Sequence, residues 1–378
     1  MRKLLALLLC LILTLSAVGA ACAEFAPVAK DDVKVGFVFI GDVSDKGYTY
    51  AHYQGLLAMQ EALGLTDDQI IYKTNVAEDG ACEDALRELV DAGCQIIFGN
   101  SYGYMNFMAE LAEEYPEVIF SHCSGYMSND VNFNNYFGAI YQARYLAGIA
   151  AGMKTQTNKI GFVAAMQTPE VIGGFDAFAL GVQSVNPDAV VYVKYTNTWY
   201  DATLERQTAD ALLDMGCDVI AQHCDTANPQ IAAQERGVWG CGYNADMTVD
   251  APKAHLTAPV WNWGAVYTKE VQDVIDGVWA PEKIFLDMSD GLVGLSPLSE
   301  NCAEGTAEAI EAAKAKLLSG EFDVFDQELW DNQGNQITDA NGCFVADIAG
   351  TSAKAGEKIT RAFVAGELMF VVKGVEVQ

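Results

Sequence analysis

From Val33 onward the chain alternates short β-branched apolar runs with stretches of helical period, and it does so twice in succession. A strand-sized apolar run followed by an amphipathic segment is the signature of a βαβ unit, and chained units build a parallel sheet covered by helices. The spacing predicts strands over 33–40, 70–74, 95–99 and 118–121, with helices near 48–64, 80–92 and 104–115. After "YQARYLAGIAAGMK" the cadence restarts, with strands over 160–164, 190–195, 219–222 and 238–241 and helices near 170–184, 203–215 and 228–236. The expected fold is therefore α/β: two doubly wound, Rossmann-like lobes in tandem, with no Pro/Ser-rich linker between them. Residues 33–145 make the first lobe and 146–256 the second. A short strand and helix in "HLTAPVWNWGAVYTKEVQDVIDGVW" and the amphipathic "GTAEAIEAAKAKLLSG" imply that the chain crosses back. About 257–290 then rejoin the first lobe and about 291–320 the second. Residues 321–378, with a hairpin turn at Gly334, form a small C-terminal extension packed on one lobe.

The N-terminus sets the compartment. Arg2 and Lys3, an apolar run and the small residues Ala21-Cys22-Ala23 have the layout of an export signal over residues 1–23. The mature protein is expected outside the cytoplasm, periplasmic or at the cell surface. "GAAC" loosely resembles a lipobox, so a lipid anchor through Cys22 and a free soluble form both stay open. With 51 acidic against 22 basic side chains, nucleic acid and anionic membrane surfaces are poor partners. Of the ten cysteines, Cys94 and Cys217 each precede an apolar strand and read as small core residues, while Cys302 and Cys343 are candidates for a disulfide. No C-x-x-C occurs, so neither a zinc nor a redox centre is expected, and no cofactor.

Open α/β sheets bind ligands beyond the carboxyl ends of their strands. This chain places there "GDVSDKGYTYAH" with Asp45, Tyr48 and Thr49, "GNSYGYMN" with Ser101 and Asn106, and "NTWYD" with Trp199. "QHCDT" with Asp225, "GYNADM" with Asn244 and Asp246, and "WNWG" with Trp261 complete the set. Aromatic rings and single polar groups dominate it, and Lys and Arg are scarce. Such a lining suits a flat, largely neutral ligand held between ring faces; a phosphate would have drawn Arg or a Gly-rich loop. Each residue has a plainer role as well. Asp225 and Asp246 read equally as helix N-caps, Tyr48 as part of the helix start, and His52 as facing its own helix. "GNSYG" matches the G-x-S-x-G elbow, so Ser101 stands as a nucleophile candidate beside its reading as a turn residue that caps a helix or touches a ligand. A triad would need an acid and a histidine, for which only His223 or His255 fit the chain order.

Taken together, "DKGYTYAHYQG", "GNSYGYMNF", "YLAGIAAGMKT", "IGFVAAMQTPEVIGGFDAFALG", "NTWYD", "CDVIAQHCDT" and "AHLTAPVWNWG" resemble the basic-membrane-protein family of ABC-transporter substrate-binding proteins, over about Val33 to Val324. The resemblance implies a type-I periplasmic-binding-protein fold, likened to members that bind purine bases or nucleosides between their lobes, and a membrane permease as partner. It makes Tyr48 and Trp199 the stacking rings and Thr49 and Asp45 polar residues of the first loop. Asn106 stands where many members have Asp, and Asp246 where a carboxylate meets ribose. Trp261 replaces a lysine that reaches the sugar, which favours a bare purine such as adenine. A monomeric binding protein that turns nothing over is the expected function. A nucleoside hydrolase-type enzyme and a binder of another neutral ligand such as a sugar are the alternatives.

Overall fold

The computed structural model describes residues 25–378. The export signal and Cys22 lie outside the described residues.

Two six-stranded parallel sheets carry the fold. The first contains β1 (Val35–Val38), β2 (Ile70–Lys73), β3 (Ile96–Gly99), β4 (Ile119–His122), β5 (Phe133–Gly138) and β12 (Lys283–Leu286), in the order β12-β5-β4-β3-β1-β2. The second contains β6 (Lys159–Ala164), β7 (Val190–Tyr195), β8 (Val219–His223), β9 (Trp239–Cys241), β10 (His255–Thr257) and β16 (Val375–Val377), in the order β10-β9-β8-β6-β7-β16. Helices α1 (Tyr48–Leu63), α2 (Gly80–Asp91) and α3 (Met105–Glu114) separate the strands of the first sheet. Helices α5 (Pro169–Val185), α6 (Ala202–Asp214) and α7 (Asn228–Glu235) do so in the second. The central strands β1, β3, β4, β6 and β8 are buried on both faces, which is why they read as apolar runs.

Between the lobes runs α4 (Ile140–Lys154), buried along nearly its whole length. It lies against α5 at backbone distance: a Cβ on Gly148 would meet the Phe178 carbonyl, and one on Gly181 the Tyr145 carbonyl. The chain crosses between the sheets twice more. β11 (Pro259–Trp261) leaves the second lobe and pairs antiparallel with β13 (Val293–Leu295). Between them α8 (Gly264–Asp276) packs on α1, and β12 adds the outer strand of the first sheet. The return leads to α9 (Thr306–Ser319), which packs on α4.

Three features depart from the sequence reading. The sequence does not present β5 as a strand, because "FNNYFG" sets two adjacent asparagines among its aromatics; it is nevertheless fully buried. Its entry loop is held by Asn132, whose Nδ2 donates to the carbonyls of Ala112, Tyr115 and Val118. The proposed Cys302–Cys343 disulfide is not formed: both thiols are free, and Cys302 Sγ donates to the Leu256 carbonyl. The C-terminal segment also does more than lie on a lobe. After the hairpin of β14 (Leu329–Trp330) and β15 (Gln336–Thr338) and the short α10 (Arg361–Gly366), β16 joins β7 in parallel register as the edge of the second sheet.

Candidate functional site

A cleft of about 420 Å³ of empty space lies between the two sheets, where their carboxyl ends face each other. Eight strands contribute to its wall. From the first lobe come Ile40 and Tyr48 after β1, Ser101 and Tyr102 after β3, Ser124 after β4 and Phe137 at the end of β5. From the second come Glu170 after β6, Trp199 after β7, His223 and Asp225 at the end of β8, and Tyr243 after β9.

Of the residues singled out from sequence, Tyr48, Ser101, Trp199 and Asp225 meet in this cleft, two from each lobe. The others stand elsewhere. Asp45 caps α1: its carboxylate accepts from the backbone N–H groups of Gly47, Thr49 and Tyr50 at 2.8–3.1 Å. Thr49 is fully buried, with Oγ1 accepting from Gly41 N–H. Both shape the loop that presents Tyr48 rather than line the cavity. Asn106 is exposed on α3. Asp246 is exposed too, its carboxylate taken up by Thr248 N–H and Oγ1. Its neighbour Asn244 reaches inward instead, donating from Nδ2 to Asp225 Oδ1 at 3.2 Å.

Trp261 does not touch the cavity. It lies on β11 in the ribbon that crosses between lobes, only 7% exposed, directly behind two lining residues. Its ring packs on Phe137 at 5.1 Å and its Nε1 donates to Tyr243 Oη at 3.3 Å. It also stacks on Trp263 at 4.3 Å, Trp263 stacks on His52 at 4.4 Å, and His52 meets Tyr48 edge-on at 4.4 Å. A continuous train of rings thus runs from Phe137 to Tyr48 behind the cleft and fixes both ends of its first-lobe wall. His52 belongs to this core, with Nδ1 2.5 Å from Tyr267 Oη.

Six lining residues carry no weight in the sequence reading: Glu170, Ser124, Tyr243, Phe137, Tyr102 and Ile40. Chain order offers His223 only as a triad partner. Glu170 follows Pro169 in the first turn of α5, at the carboxyl end of β6, so the strand-end rule that found the other residues also pointed to it. Its Oε2 accepts from Ser124 Oγ–H of the opposite lobe at 2.9 Å, and its Oε1 stands 3.9 Å from His223 Nε2. Burial pushes the Glu170 carboxyl up to about 7, against the opposing pull of Ser124 and the Arg144 cation. Burial, with Arg144 adding to it, holds His223 well below the usual histidine range, so this imidazole is neutral. Asp225 is pushed well above the usual carboxylate range by burial first and then by Asp45 and Glu205. Arg144 itself is buried behind Tyr243, with its guanidinium 3.7 Å from that ring's centre and Nη1 donating to the Gln222 carbonyl.

The elbow reading of Ser101 finds no support in the geometry. Its Oγ donates to Glu78 Oε1 at 2.5 Å, while the nearby His122 Nε2 is 2.7 Å from the Ser101 carbonyl oxygen and not from Oγ. Its backbone (φ −138°, ψ 144°) is relaxed extended chain rather than a strained turn. Of the two histidines that fit the chain order, His255 sits apart from it with Ser296 Oγ and Asp246, while His223 lines the same cleft with its Nε2 turned to Glu170 Oε1. Among the described residues no group of three His, Cys, Asp or Glu side chains is arranged to hold a metal ion. The arrangement is a closed, ring-lined cleft with a few buried polar groups, suited to enclosing a small molecule.

Comparison with known proteins gives the same picture. A purine-binding protein of Brucella abortus is 35% identical over 82% of this chain and 87% of its own length. A proposed ABC transporter glucose-binding protein of Haloferax volcanii is 34% identical over 82% of this chain and 78% of its own. The crystal structure of an ABC transporter solute-binding protein from Aeropyrum pernix superposes with a TM-score of 0.68, at 20% identity, over 77% of this chain and 92% of that one. The model of the Bmp family, described as ABC transporter substrate-binding protein PnrA-like, matches residues 32–328. The chain belongs to the Bmp family of ABC transporter substrate-binding proteins.

Proposed function

We propose that this protein captures a purine, as free base or nucleoside, in the cleft between its lobes and presents it to a membrane permease. As a substrate-binding protein of an ABC transporter it works outside the cytoplasm with a small-molecule ligand. The observation that supports a purine is the pairing of rings across the cleft: Tyr48 from the first lobe and Trp199 from the second line one cavity. A flat heteroaromatic base fits between such rings, and base-on-ring stacking contributes about 1–3 kcal/mol per ring. Asp225, Glu170, His223, Ser101 and Ser124 supply directional hydrogen bonds around the edge of the base. No lysine or free arginine lines the cavity, which argues against a phosphorylated ligand. The similarity to a purine-binding protein points the same way.

In this reading the lobes, 33–145 with 257–290 and 146–256 with 291–320, close about the crossings at α4 and the β11–β13 ribbon. The protein acts as a monomer, tethered through Cys22 or free, and no covalent chemistry occurs on it. The apolar wall of Phe137, Tyr243 and the Trp261 behind them favours a bare base over a nucleoside. Denaturing the purified protein and identifying the released small molecule by mass spectrometry, followed by calorimetry with adenine, hypoxanthine, adenosine and inosine, tests the proposal. A purine bound stoichiometrically and recovered unchanged is the expected result. Recovery of a sugar, with no purine binding, overturns it, and release of base from inosine would move the protein to the hydrolases.

A further inference from the structure

The acid at the start of α5 stands apart from the other acid in the cleft wall, Asp225, because it bridges the lobes by a side-chain hydrogen bond to Ser124 while leaving its other oxygen toward a neutral imidazole. We infer that Glu170 is the specificity-determining residue of the site, reading the N1/C6 edge of the purine and choosing between 6-amino and 6-oxo bases according to whether its carboxyl carries a proton. The inference rests on the purine reading of the cleft.

The geometry leaves this carboxyl with one fixed partner. Oε2 accepts from Ser124 Oγ–H, and Oε1 stands 3.9 Å from His223 Nε2, which is too long for a direct hydrogen bond. No lysine or arginine pairs with it at salt-bridge distance. The charged and titratable groups that act on it come from every neighbouring element. Arg144 of α4 favours the ionised form, and the first turn of α5 favours it through the helix dipole. Asp225 after β8 opposes it, as a second acid enclosed in the same cavity. Tyr48, Tyr102, Tyr243 and Cys123 are neutral neighbours whose own ionisation Glu170 disfavours. His223 stays neutral, so the one group facing Oε1 neither adds nor removes charge at ordinary pH.

The two protonation states are complementary to different bases. An ionised carboxylate only accepts, so it pairs with the N1–H of hypoxanthine or guanine and is repelled by the N1 lone pair of adenine. A protonated carboxyl donates to adenine N1 while its second oxygen accepts from the exocyclic N6–H. With the carboxyl balanced at about 7, both states are populated near neutrality. Between pH 6 and pH 8 the protonated fraction falls about tenfold and the ionised fraction rises about tenfold, and apparent affinity scales with the competent fraction.

The test is calorimetry of the full mature chain with adenine and with hypoxanthine between pH 6 and 8. Adenine should bind about tenfold more weakly at pH 8 than at pH 6 and hypoxanthine about tenfold more tightly, so that their ratio moves about a hundredfold. Glu170→Gln, whose amide carries a fixed donor and acceptor, should still bind both bases with a ratio independent of pH. A pH-independent ratio in the unaltered protein, measured without any variant, refutes the assignment while leaving purine binding intact. Persistence of the pH-dependent ratio in Glu170→Gln also refutes it, and transfers the role to Asp225. Binding of neither base at any pH overturns the purine reading itself and this inference with it.

Discussion

Gly47 offers the most direct test of whether the cleft closes as described. It precedes α1 in the first lobe and lies against the backbone of Asp225 in the second. A Cβ placed on it would stand 2.7 Å from Asp225 Cα and closer still to the Asp225 carbonyl carbon and oxygen. Those are backbone atoms at the end of a central strand, so no side-chain rotation relieves the overlap. The clash therefore exists only when the lobes are together. Overpacking of this kind costs about 1–3 kcal/mol, and at about 2 kcal/mol the closed complex is weakened roughly 30-fold. Gly47→Ala should therefore raise the purine Kd by that factor in calorimetry, and Gly47→Val by more. The stabilisation conferred by saturating ligand should fall by about 2 kcal/mol at fixed ligand concentration. Scattering in the presence of ligand should show a more open molecule. An unchanged Kd together with wild-type compaction would refute the Gly47–Asp225 contact as part of the binding-competent form.

The remaining expectations separate lining from supporting residues. Tyr48→Ala and Trp199→Ala should each weaken purine binding by about 1–3 kcal/mol; calorimetry showing both unchanged would remove the stacking pair. Asn106→Ala and Asp246→Ala, at exposed positions outside the cavity, should leave Kd within about twofold, and a tenfold loss at either would place the ligand elsewhere. Glu270 predicts a pH effect on stability. It is buried on α8 and accepts from Ser121 Oγ, Asn134 Nδ2 and Trp279 Nε1, and burial pushes its carboxyl up to about 7. The unfolded chain releases this proton near 4.5, so the fold holds an extra proton between those values. Stability must then fall as pH rises from about 4.5 to 7, by at most about 3 kcal/mol from this group. Glu270→Gln should flatten that slope in denaturant melts at pH 5 and pH 8; a slope equal to wild type would show that the carboxyl is ionised throughout.

What could be read in the chain and what could not divide along physical lines. The βαβ cadence was legible because a parallel sheet buried on both faces demands continuous apolar strands, which no other local structure requires. The strand-end rule then located four of the eleven residues that line the cleft, since Tyr48, Ser101, Trp199 and Asp225 each follow a strong strand. β5 is not legible because its buried asparagines donate to partners distant in the chain, Asn134 to Glu270 and Asn135 to the His122 carbonyl, and sequence period carries no trace of such partners. Trp261 was misplaced for a related reason. Its position beside the cleft follows from the family pattern, but the direction of its ring depends on β11 pairing with β13, a strand that returns some thirty residues later. Asp45 shows the opposite case: a loop acid that sequence presents as a ligand contact is consumed by three backbone donors of its own helix.

The distribution of acids bears on what closing an empty cleft costs. Closing the lobes encloses Asp225 and Glu170 and brings Asp45 near enough to Asp225 to raise its proton affinity. No lysine or arginine pairs with either enclosed acid, and the one buried cation nearby, Arg144, is committed to the Tyr243 ring and the Gln222 carbonyl. Bringing like charges together out of water opposes closure, and the opposition is removed only by protonating the acids or by supplying donors to them. A purine brings those donors as ring and exocyclic N–H groups, and a flat apolar face for Tyr48 and Trp199 at the same time. Water supplies donors but no stacking area, and an aliphatic molecule of similar volume supplies area but no donors. Discrimination between a filled and an empty cleft, which the permease must read, thus follows from placing uncompensated carboxyls between two rings rather than from any single strong contact.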